Sequence, residues 1–151
     1  MQSRHLSRVI ARPVDEVYSF VANPDNLVRW AAGLAQGDAI RKGPDLIVDS
    51  PMGQVTVRLV PLNDYGVFDH DVTLPSGVVV TNPARVLPHP DGCEVLFTLR
   101  QLDMTDEEFE RDARAVEDDL ERLAALLEDP DTPLTLPDDS EALRRSVPAR
   151  T

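Results

Sequence analysis

Phe109, Ala113, Val116, Leu120, Leu123 and Leu127 step by four, three, four, three and four residues, which draws one apolar stripe along a helix of about five turns. Thr105-Asp106-Glu107-Glu108 opens that helix as a capping box, with the Thr hydroxyl placed for a backbone N–H and the Glu reaching back; Asp129-Pro130 ends it. The opposite face, carrying Glu110, Arg111, Arg114, Glu117, Asp118, Glu121 and Arg122, suits water. Such a helix needs a protein surface along its length. A coiled coil would supply one, but the stripe spans under four heptads and lacks complementary flanking charges, so packing on the domain's own sheet is the favoured reading.

The sheet is legible upstream. From about Gln36 to Leu102 the apolar period is two, and turn signals recur at Lys42-Gly43-Pro44-Asp45, Pro51-Met52-Gly53, Asn63-Asp64-Tyr65-Gly66, Pro75-Ser76-Gly77 and Pro90-Asp91-Gly92. The strands between them are predicted near 36–41, 45–50, 54–60, 67–74, 78–87 and 93–101, and a first strand over Leu6 to Ala11 brings the count to seven. Pro83 lies inside the sixth, which should be bulged or at an edge there. After the first strand, Pro13 opens a helix with Val14, Val17, Tyr18 and Val21 on one face. Asn23-Pro24 breaks it, and Pro24 starts a second short helix carrying Leu27, Trp30 and Ala31. The expected organisation is one α+β domain over residues 1–129 and a loosely held Pro/Asp-rich tail over 130–151.

Charge narrows the partners. The chain has 15 Lys and Arg against 27 Asp and Glu, a net of −12. Much of the excess lies between Asp103 and Asp131, where thirteen acids face three arginines. Nucleic acid would be repelled. No stretch approaches the roughly 20 apolar residues of a membrane span, and the start, MQSRHLSRVIARP, lacks the apolar region of a signal peptide; the expectation is a cytoplasmic protein. Cys93 is the single cysteine, so neither an internal disulfide nor a thiolate metal cluster forms within one chain, and it reads as a small buried hydrophobe on a strand.

The order of a strand, two helices, six further strands and one long helix resembles the SRPBCC superfamily, which includes START lipid-transfer domains, the birch pollen allergen and polyketide cyclase/dehydratase-like proteins. The residues that carry the resemblance are Ser7 to Val21 (SRVIARPVDEVYSFV), then Asn23-Pro24-Asp25, then Trp30, with the terminal helix at 105–128; it covers about residues 4 to 128. It implies a helix-grip fold: a curved, seven-stranded antiparallel sheet wrapped on the long helix, two short helices after the first strand, and a cavity between sheet and helix. Strand parity says which residues face that cavity. Phe68, His70, Val72 and Leu74 share one face, as do Val55, Val57 and Leu59, and Val95, Phe97 and Leu99. Val78, Val80, Asn82 and Ala84 share another, subject to Pro83.

The Asp69-His70-Asp71 run invites a catalytic or metal reading, but neighbours on a strand point to opposite faces, and the outward acids are expected to pair with Arg58. His70 is then a hydrogen-bonded core residue, a group that orients a ligand, or a weak candidate for general acid/base work. Trp30 and Phe109 read as core or cavity wall, and Tyr18 and Asn82 as candidate polar groups for a ligand. No two histidines have metal-ligand spacing, no cofactor motif is present, and nothing supports a nucleophile. Three functions stay open. The first is binding or carriage of an apolar small molecule (lipid, polyketide-like or aromatic) against Tyr18, Trp30, Val57, Phe68, His70, Val80, Asn82, Phe97 and Phe109. The second is a cyclase or dehydratase in which His70 moves a proton. The third is a protein-partner module like the heat-shock ATPase activators that share the fold. Homodimer formation is also left open.

Overall fold

The computed structural model describes residues 1–31 and 38–133. The chain opens with β1 (Ser3–Ile10) and α1 (Val14–Val21), followed by a 3-10 turn at Pro24–Asn26 and the single helical turn α2 (Leu27–Trp30). Then come β2 (Ala39–Lys42), β3 (Asp45–Ser50), β4 (Gly53–Leu59) and β5 (His70–Thr73). The last strands, β6 (Val79–Asn82), β7 (Ala84–His89) and β8 (Gly92–Arg100), lead into α3 (Asp106–Glu128). The helix breaks follow their side chains. Asn23 accepts the Asp25 N–H at 3.0 Å, and the Asn26 amide donates to the Phe20 carbonyl at 3.1 Å, so the chain reverses within a few residues of α1.

Seven strands in one sheet is the sequence expectation; eight strands in two antiparallel sheets are observed, ordered β1-β8-β7 and β2-β3-β4-β5-β6. Pro83 is the reason. The strand expected over 78–87 is cut there: β6 pairs with β5, and β7 pairs with β8. Proline has no N–H to give to a ladder, while its carbonyl accepts from Thr98 N–H at 2.9 Å. On the far side of β7, Phe68 N–H donates to the Ala84 carbonyl at 3.0 Å and Val67 bridges Arg85. At the seam itself the Asp69 carboxylate takes the Ala84 N–H at 2.8 Å and also binds Arg85.

The expected pairing of Asp69 and Asp71 with Arg58 is corrected in part: Asp69 binds Arg85 instead, while Asp71 does stand opposite Arg58 in the β4–β5 register and acts on it through charge, without a direct ion pair. Arg58 makes a two-pronged bond to Asp45, 2.6 and 2.9 Å, because Asp45 stands opposite it in the β3–β4 register. Asp45 is held below its ordinary pKa by that bond, and Asp71 instead accepts from the Thr81 hydroxyl at 2.6 Å.

The capping box of α3 forms as read: Thr105 Oγ1 accepts from Glu108 N–H and Glu108 Oε1 from Thr105 N–H, both at 3.1 Å. Phe109, Ala113, Leu120, Leu123, Ala124 and Leu127 are buried, while Val116 is half-buried. The helix lies along β1, where Arg4 meets Glu110 and Arg8 meets Glu121, each at 2.7 Å. Gly92, at φ +137°, lets the β7–β8 hairpin close on β1, since a Cβ there would stand 2.4 Å from the Ile10 carbonyl oxygen. Cys93 beside it is fully buried, and desolvation pushes its thiol up to about 11. Among the described residues no helix is long and apolar enough to cross a membrane.

Candidate functional site

Between α3 and the inward faces of β5, β6 and β8 the structure leaves a cavity of about 450 Å³. Its sheet side is built by strand parity: His70 and Val72 of β5, Leu74 beyond it, Val80 and Asn82 of β6, and Phe97 and Leu99 of β8. Its end wall is Leu27, Trp30 and Ala31. Met52, Val78 and Leu102 line it while remaining well exposed, so they form an apolar rim at the mouth. Leu102 holds φ +51°, a left-handed conformation uncommon for a residue with a branched side chain.

His70 is only 4% exposed. Its Nδ1 lies 3.3 Å from the Phe68 carbonyl oxygen, and its ring is tilted against Phe97 with centroids 5.4 Å apart. Burial lowers its pKa, opposed by the Phe68 carbonyl and by Asp69 and Asp71. A carbonyl oxygen only accepts, so the neutral ring carries its proton on Nδ1 and presents a lone pair at Nε2.

Trp30 is fixed at the cavity end from behind. Arg122 donates to the Trp30 carbonyl at 2.9 Å and to Asp119 at 2.8 Å, tying α2 to α3. Arg122 thus buttresses the site from the exposed face to which the helical pattern assigns it. The Trp30 Nε1–H is buried and has no hydrogen-bond partner among the described residues.

Of the residues singled out from sequence, Trp30, His70, Val80, Asn82 and Phe97 line the cavity. Val57, Phe68 and Phe109 belong to the solid core, none more than 1% exposed, and are not among the lining residues. Tyr18 is also placed elsewhere. Its hydroxyl donates to the Val67 carbonyl at 3.2 Å and accepts from Asn63 N–H at 3.1 Å, pinning the loop between β4 and β5. Inward parity shows that a residue faces the core; it does not separate filled core from cavity.

Sequence reasoning missed the α3 wall: Glu108, Asp112, Ala115, Val116 and Asp119. A signal exists. Positions 108, 112, 115 and 119 repeat the four-three-four rhythm one residue ahead of the apolar stripe, which places them on its flank. Asp112 is exposed, and the protein beside it removes only part of its hydration, which raises its pKa. Glu108 is lowered by its capping bonds to Thr105.

No family model and no curated protein matches the sequence. Solved structures do match. The chain is similar to the Aha1 dimer from Colwellia psychrerythraea (14% identity, TM-score 0.66, 87% of this chain and 99% of that one). It is similar to protein CV1439 from Chromobacterium violaceum (15% identity, TM-score 0.61, 85% and 99%). It also resembles DynU16, described as a protein of the dynemicin biosynthetic locus (16% identity, TM-score 0.66), matching over 90% of this chain and 50% of that one. These likenesses show a shared α+β fold, consistent with the helix-grip arrangement.

Proposed function

We propose that this protein is an SRPBCC-type binding protein that holds and carries an apolar small molecule with a polar tip. The observation that carries the reading is the cavity of about 450 Å³ between sheet and α3, walled by Trp30, Val72, Val80, Phe97 and Leu99 with His70 among them. Ligand sites are concave, mostly apolar and supplied with a few orienting polar groups. Carriage is favoured over cyclase or dehydratase chemistry because the His70 Nδ1 meets a backbone carbonyl rather than a carboxylate. A general base gains its power from a partner that stabilises the imidazolium, and burial disfavours that ion here.

The test is mass spectrometry of material extracted from the purified full chain, followed by titration with N-phenylnaphthylamine, a neutral apolar fluorophore. A co-purifying apolar metabolite and saturable fluorescence enhancement are expected. His70→Phe should keep the fold and weaken a ligand bonded at Nε2 by roughly 1–3 kcal/mol, the range for a stranded buried polar group. An empty protein that also fails to bind the fluorophore would sink the reading.

A further inference from the structure

The polar groups of the cavity are unevenly distributed by sign. Among the described residues, Asp103, Glu108, Asp112 and Asp119 line it against one basic residue, Arg100. Arg100 is turned toward β1, donating to Ser3 Oγ at 2.9 Å, and Glu108 is engaged in its cap. Asp119 is 8% exposed and bonded to Arg122. Asp112 has no hydrogen bond or ion pair with another described residue, although the protein around it removes part of its hydration.

On the sheet side His70 is an independent second observation. It is more than nine-tenths buried and lines the same cavity, and its one hydrogen bond is made through Nδ1 to the Phe68 carbonyl. The remaining nitrogen, Nε2, is a lone pair without a partner among the described residues. An acceptor on the cavity wall suits a ligand that donates to it; the buried Trp30 Nε1–H, unpartnered among the described residues, suits an acceptor elsewhere on the same ligand. Acceptors thus stand on both sides of the apolar space. The Trp30 and Phe97 rings in its walls add apolar area for the body of such a ligand.

We infer that the cavity takes an apolar amine, with its protonated nitrogen against the Asp112 carboxylate and its hydrocarbon or aromatic body between Trp30, Val80 and Phe97. This rests on the reading of the cavity as a ligand site. A carboxylate of the same shape would face four like charges on the cavity lining, and the −12 net charge of the chain adds to its exclusion.

The experiment uses the full chain and three probes with one aromatic body: naphthylmethylamine, naphthylmethanol and naphthoate, each displacing N-phenylnaphthylamine near neutral pH. The amine should bind about tenfold more tightly than the alcohol, and the carboxylate most weakly. Asp112→Asn should narrow the gap between amine and alcohol, whereas Asp91→Asn, at the tip of the β7–β8 hairpin, should not. Alcohol or carboxylate binding as tightly as the amine overturns the inference while the binding reading stands. Equal narrowing by Asp91→Asn also overturns it, since the amine would then be sensing net charge alone. Failure of all three probes and of N-phenylnaphthylamine overturns the binding reading, and the amine with it.

Discussion

His70 and Asn82 stand opposite each other in the β5–β6 register, so two polar side chains enter the cavity side by side in a wall otherwise made of valine, leucine and phenylalanine. Cross-strand partners share a face, which is why this pair survives the break that Pro83 makes one residue later.

Titration of His70 tests its environment. Burial lowers its pKa from the ordinary 6.5. The unfolded chain therefore binds the proton more readily, and folding stability should fall as pH drops below about 6.5 toward the depressed folded value. An imidazole NMR titration should give a midpoint below 6.5, lower still when a ligand donates to Nε2. A midpoint at the solvent value would remove His70 from the cavity wall.

Asp69 should matter to the fold more than to binding. Asp69→Ala strands the Ala84 N–H and frees Arg85 at the seam between the two sheets, at a cost of about 1–3 kcal/mol. Urea unfolding would read this as a lower midpoint. A change within 0.5 kcal/mol, the usual spread for surface sites, would mean that the carboxylate is replaceable by water.

Leu120, 2% exposed in the centre of α3, should behave as a buried leucine. Leu120→Ala is expected to cost on the order of 2–5 kcal/mol, measured by denaturant or thermal unfolding. A loss smaller than a surface substitution would contradict the packing of α3 on the sheet.

A chain ending at Asp129 should retain the unfolding midpoint of the full protein. Among the described residues beyond Asp129, Pro133 meets the body of the fold, through its carbonyl and Arg29 at 3.3 Å in an exposed bond. A midpoint far below that of the full chain would make the tail part of the domain.

The fold was legible where one periodicity governs a whole element. The α3 stripe, its capping box and the inward parity of His70 and Val72 follow from local geometry. The expected tail lies outside the described residues from position 134 on, as does the start of the strand expected over 36–41. The division into two sheets was not legible, because Pro83 signals a disturbance without saying which neighbour each half will choose; that depends on Asp69 and Ala84, fifteen positions apart in the chain. Nor was the acidic α3 wall, since a helix flank reads as solvated unless the hollow beside it is known. Tyr18 shows the converse: an amphipathic residue on an apolar helix face, drawn away by the backbone of a loop some 45 residues on.

The handover at Pro83 has a mechanical corollary. Val80 belongs to one ladder and Phe97 to the other, so any guest that touches both spans the joint between the two sheets. Such a guest acts as a cross-tie: occupancy should raise the melting temperature and slow amide exchange most strongly at Phe68, Ala84 and Thr98, whose N–H groups lie along the joint.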